Sequence, residues 1–103
     1  MNPSTSPPVT LAPGQFELIA KALSDPRRFK VLQTIASAKH ECAYQRLCRN
    51  IPVTKATISH HLKELVTAGL VESERDGQYV NTRVRPGVIE AYTAELQRRV
   101  GGD

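Results

Sequence analysis

Two cysteines in 103 residues are too few for a disulfide-stapled scaffold and read as free thiols. No apolar run approaches the roughly 18 residues that a membrane-spanning helix needs. Met1–Pro13 has no basic stretch followed by an apolar one, so it does not read as a signal peptide, and a cytoplasmic location is expected. Catalytic signatures are missing too. There is no Gly-rich phosphate loop, no His-Glu-x-x-His and no Gly-x-Ser-x-Gly. His40 near Cys42 has no third orienting group, and so short a chain leaves little room for a substrate pocket, so an enzyme is not expected. Acidic side chains are in deficit, ten against fourteen Lys and Arg, a net charge of +4. A basic balance favours polyanionic partners.

The length holds one domain. Residues 1–13 contain four of the seven prolines and no charge, and are read as a flexible tail. The folded domain is expected over 14–100, with 101–103 frayed. Phe16, Ile19, Ala20 and Leu23 recur at helical spacing in Gln15–Leu23. Asp25 suits an N-cap and Pro26 the first helical position, so a second helix runs to about Ala38, its apolar face made of Phe29, Leu32, Ile35 and Ala36 beside Val31. A short third helix covers roughly Cys42–Arg49. Pro52 ends it, and Thr54 caps a fourth helix that reaches about Ala68, with Gly69 at a left-handed terminus. Leu70–Arg75 and Tyr79–Val84 are strand-like around the tight turn at Asp76-Gly77. A last helix runs from about Val88 to Val100. The fold class is therefore mainly α with a β-hairpin wing: a winged helix-turn-helix in which the fourth helix enters the major groove of DNA.

A helical wheel of the fourth helix puts Ile58, His61, Leu62 and Leu65 on one buried stripe. His61 is accordingly structural. The other face shows Ala56, His60 and Lys63, flanked by Thr57, Ser59 and Glu64, with Lys55 near the start. Ser and Thr can donate to phosphates or bases, Lys55 can reach a phosphate or a guanine edge, and the Ala56 methyl can touch a thymine methyl. Such a face also suits a plain solvated helix; the turn and the wing favour DNA. Residues 18–63 hold nine basic side chains against two acidic ones, a net +7, as phosphate neutralisation requires. In the wing, Arg75, Arg83 and Arg85 face Glu72, Glu74 and Asp76, and Arg83 is taken as a backbone contact.

Two stretches, ALSDPRRFKVLQTI (Ala22–Ile35) and VTKATISHHLKELVTAGLVESERDGQYV (Val53–Val80), resemble the ArsR/SmtB family of winged-helix repressors. The resemblance covers most of residues 15–100. It implies a homodimeric repressor released from operator DNA by a metal ion, a metalloid or a thiol-oxidising signal, with Lys55, Thr57, Ser59 and His60 reading DNA. It also exposes departures. Metal-sensing members carry Cys-x-Cys at the start of the third helix, where this chain has Cys42-Ala43-Tyr44. The last helix offers no His or Cys, only Glu90 and Glu95. No metal site is expected.

Cys42 and Cys48, both on one helix, would lie about 9 Å apart along its axis and about 120° apart around it, which forbids a disulfide unless the helix start unwinds. Three readings fit them: Cys48 as a small buried hydrophobe with Cys42 a spectator, thiol redox sensing, or capture of a soft metal or metalloid helped by His40 or a partner's thiol. A homodimer is expected through the first and last helices, using Phe16, Ile19, Val88, Ile89, Tyr92 and Leu96, with the reading helices about 34 Å apart. The rival readings are a winged helix that binds protein, and a DNA-binding repressor with no direct effector.

Overall fold

In the computed structural model, which describes residues 9–101, each helix start follows from the chemistry of its first residues. Gly14, with φ +80°, precedes α1 (Gln15–Leu23). Asp25 accepts from the Arg27 and Arg28 backbone N–H groups at 2.9 and 3.2 Å, and Pro26 opens α2 (Pro26–Ala36). Next come β1 (Cys42–Ala43), α3 (Tyr44–Asn50), α4 (Lys55–Thr67), the strands β2 (Val71–Asp76) and β3 (Tyr79–Val84), and α5 (Pro86–Gly101).

The strand β1 departs from the expected helix over Cys42–Arg49. Cys42 and Ala43 pair antiparallel with Thr82 and Asn81, so the sheet has three strands in the order β1-β3-β2. Two residues are too short to show alternation. Their extended form is set by β3, where Thr82 Oγ1 donates to the Cys42 carbonyl at 2.8 Å. The hairpin closes through Gly77-Gln78, with Asp76 opposite Tyr79 and Gly77 at φ +64°.

The core lies where α1, α2 and α4 meet the sheet. Ile19, Val31, Leu47, Ile58, Leu65, Leu70, Val71 and Val88 are almost wholly buried. On α4 the expected stripe of Ile58, His61, Leu62 and Leu65 is buried. On α2 the buried residues are Arg28, Val31, Leu32 and Ile35, one step round from the expected face, and Phe29 and Ala36 are exposed. Arg28 explains the shift. Its stem is buried, while the guanidinium donates to the Ala22 carbonyl at 3.5 Å and lies 3.9 Å from Asp25.

The end of α4 aims the chain into the wing. Leu70 N–H donates to the Leu65 carbonyl and Gly69 N–H to that of Val66, the double bond of a Schellman terminus, with Leu65 and Leu70 both buried. Gly69 sits at φ +83°, and a Cβ there would collide with Gln15 Nε2. That amide donates to the Ala68 carbonyl at 3.0 Å while its Oε1 accepts from Ala12 N–H at 2.8 Å. Of the expected tail, residues 9–13 are described, and Leu11 among them packs against the core. The rest of the expected N-terminal tail, 1–8, and residues 102–103 lie outside the described residues.

Candidate nucleic-acid interface

Because α4 buries one stripe, its other side must face outward. Thr54 caps the helix by accepting from Thr57 N–H at 3.1 Å. Lys55, Ala56, Ser59, His60 and Lys63 are all exposed on that outer side. Neither Lys55 nor Lys63 enters an ion pair among the described residues, so both keep their charge for an external anion. Thr57 is half-buried, and its hydroxyl lies 2.9 Å from that of Thr54, within the cap. It is the least available of the expected reading residues.

A groove of about 480 Å³ runs between α4 and the wing, lined by Tyr44, Ser59, Leu62, Lys63, Ser73, Arg75 and Val80. Lys63 and Arg75 give it a cationic rim, and Arg75 has no ion pair among the described residues. A second, smaller groove of about 390 Å³ joins Arg27 and Lys30 of α2 to the turn Ile51–Val53. Both features suit a backbone that passes over the helix-turn-helix.

Arg83, expected as a backbone contact, is already paired. Its guanidinium meets Glu41 Oε2 at 2.8 Å, Glu72 Oε1 at 2.9 Å and Glu74 Oε1 at 3.7 Å, so it serves as the shared counter-ion of three carboxylates. Arg85 also leans on Glu72 at 3.6 Å. Among the described residues of the wing, Arg75 is the arginine without an ion pair. Sequence reasoning set Arg75 and Arg83 against the same acids and missed the extra pairing of Arg83, because Glu41 comes from 42 positions before it. Tyr44 was also missed as part of this face. Its hydroxyl lies 2.8 Å from Ser59 Oγ and 3.2 Å from the Lys55 carbonyl. An aromatic residue three positions before a core leucine reads only as packing.

His61 is buried on the inner side of α4, with neither ring nitrogen hydrogen-bonded among the described residues. Burial pushes its pKa below the ordinary histidine value and outweighs the nearby Asp25 carboxylate; Arg28, His60 and Arg27 push the same way as burial. It packs α4 onto the body.

The two thiols exchange the roles considered for them. Cys42 is fully buried under the sheet, and Cys48 is only partly buried against the core. Burial raises the Cys42 thiol above its ordinary pKa despite Arg46, which keeps it protonated. Among the described residues, no group of three or more His, Cys, Asp or Glu side chains could hold a metal ion. On α5, Glu95 is held by Arg98 and Arg99, the latter at 2.8 Å, which draws its pKa down to about 2. No helix among the described residues is long and apolar enough to cross a membrane.

Residues 25–73 match the model of the arsR family of bacterial regulatory proteins. The cadmium resistance transcriptional regulatory protein CadC of Listeria innocua is 35% identical over 60 residues, which are 58% of this chain and 50% of that protein. Among solved structures, an ArsR-like transcriptional regulator from Rhodococcus sp. RHA1 superposes with a TM-score of 0.74 at 27% identity, over 86% of this chain and 81% of that one. A homodimeric winged helix-turn-helix DNA-binding domain from Mycobacterium bovis gives a TM-score of 0.67 at 26% identity, over 80% of this chain and 75% of its own.

Proposed function

Since this chain is an ArsR-family transcriptional regulator with a winged helix-turn-helix DNA-binding domain, we propose that it works in the cytoplasm as a homodimeric, sequence-specific repressor. The observation that supports this most is the outward face of α4, where Lys55, Ala56, Ser59, His60 and Lys63 stand exposed beside Arg75 of the wing. Helix α4 lies in the major groove, with base edges read by its first two turns and phosphates held by Lys63 and Arg75. A protein seated there blocks transcription by occupying the site.

The dimer forms through α1 and α5. Ile19 and Val88, first assigned to that contact, are consumed by the protomer's own core. Among the described residues of these helices, the exposed large apolar groups are Leu18, Leu96 and Val100, 45%, 40% and 77% exposed, and the Phe16–Tyr92 ring pair, with centroids 5.0 Å apart, joins α1 to α5. The Mycobacterium bovis relative is itself homodimeric. Sedimentation tests the contact: the native chain runs as a dimer at micromolar concentration, and Leu96→Glu as a monomer. A monomeric native chain removes this part of the reading.

The signal acts on the thiols. Cys48 is the accessible one, and Cys42 reacts only when β1 leaves β3. Cys48 lies on the short α3 that braces α4 and Cys42 just before it, so an oxidant or a soft metal or metalloid there tilts α4 and lowers operator affinity by about 1–3 kcal/mol. CadC, a cadmium-resistance regulator, shares part of this sequence. The burial of Cys42 favours a second reading, a repressor without a direct effector. Operator binding by the native chain and by a Cys42→Ser, Cys48→Ser double variant, with and without peroxide or cadmium, separates them. Release of the native chain alone supports the thiol signal; an equal response by both overturns it and puts the signal elsewhere on the protein, and no response by either supports the second reading.

A further inference from the structure

The Tyr44 hydroxyl touches two groups of α4 at once: the Lys55 carbonyl at 3.2 Å and Ser59 Oγ at 2.8 Å. A carbonyl can only accept, and a phenol has a single hydrogen. Both contacts are satisfied in one arrangement: Tyr44 donates to Lys55, and Ser59 donates to the phenol oxygen. The one hydrogen of Ser59 is then committed inward. Ser59 is nevertheless exposed, so its oxygen presents only lone pairs to whatever lies against α4.

We propose that Tyr44, though on α3 and outside the reading helix, is a specificity-determining positioning residue: it makes Ser59 a hydrogen-bond acceptor towards DNA and selects a base with an exocyclic amino group. In the major groove, adenine N6 and cytosine N4 carry such hydrogens, whereas guanine O6 and N7 and thymine O4 only accept. A free serine serves either kind of base; one tied to Tyr44 favours adenine or cytosine on the strand it faces. The proposal rests on α4 lying in the major groove. The Tyr44 ring also packs partly against the core, and Tyr44→Phe keeps that packing while removing the hydroxyl.

The test begins with duplexes enriched by the native protein from a randomised pool. The expected result is one position where adenine or cytosine is preferred and where Ser59→Ala abolishes the preference. If that base is adenine, replacing it with purine, which lacks the amino group, weakens native binding about three- to tenfold. Tyr44→Phe flattens the preference at that position alone, leaves binding to unrelated duplex unchanged and keeps the native melting temperature within a few degrees. Combined with Ser59→Ala it adds nothing further there. Native preferences retained by Tyr44→Phe at every position overturn the role of Tyr44 while leaving DNA reading intact. So does a guanine or thymine preference at the position that Ser59→Ala relaxes. A native protein that enriches no sequence overturns the major-groove reading and this proposal together.

Discussion

The recognition helix and the wing each bring basic side chains to the same surface, yet they are electrostatically opposite. On α4, Lys55 and Lys63 stand without an acidic partner among the described residues. On the wing, Arg83 is shared by Glu41, Glu72 and Glu74, and Arg85 leans on Glu72. A count of charges treats Arg83 and Lys63 as equals. The difference is that a cation already seated among carboxylates must give up those contacts before it can neutralise a phosphate, and the carboxylates it leaves then repel the strand. On the proposed docking, the free cations are the ones that meet phosphate at least cost.

The sharpest break in this contrast comes from the helix. Lys55→Ala and His60→Ala should each lower affinity for an enriched duplex by about 1–3 kcal/mol if they read bases, and much less for unrelated duplex. Fluorescence anisotropy with both probes measures the split. Equal binding by both variants and the native chain would mean that α4 does not enter the groove.

In the wing the same logic ranks two arginines. Arg75→Ala should weaken binding to every duplex alike and reduce the slope of log affinity against log salt by about 1, as the loss of one phosphate contact does. Neutralising the acids should act in the other direction. Glu72→Gln with Glu74→Gln releases Arg83 from two of its three carboxylates. Affinity should rise by a few-fold and the salt slope should steepen. Exposed ion pairs hold only about 0–1 kcal/mol each, so the fold itself should barely change. If the double variant binds DNA as the native chain does, Arg83 lies too far from the backbone for its pairing to matter.

These contrasts were partly legible beforehand. The α4 stripe, its Thr54 cap and the Gly69 terminus were readable because each is written within one helix, where a 3.6-residue period and a cap are local signals. The α2 face was misjudged by one position because Arg28 counts as polar by composition but buries its stem. The strand β1 was invisible because its two residues are extended by a partner 40 positions away. The Arg83 cluster and the Tyr44 bridge share that cause. Each joins residues distant in sequence, and no local pattern marks which arginine will find carboxylates or which tyrosine will meet a serine.

The smallest expected effect concerns the inner side of α4, where a charge must not form. His61 is buried with both nitrogens unpaired among the described residues, and burial holds its folded pKa below the ordinary 6.5. The groups it faces do not offset this: Asp25 favours the proton, while Arg28, Arg27 and His60 oppose it. The sign follows. As pH falls through about 6.5, an unfolded His61 takes up a proton that the folded one refuses, so the unfolded state gains. Stability is full above that pH and declines as pH falls towards the folded value, by about 1.4 kcal/mol for each unit of lowering. His61→Leu keeps the position apolar and removes the titration. The melting temperature of the native chain should fall between pH 7.5 and 5.5, and that of His61→Leu should fall less. Parallel curves would mean that His61 is hydrated in the folded protein and titrates as an exposed histidine does. Because the same side chain seats α4 on the body, operator affinity at pH 5.5 should follow the same order.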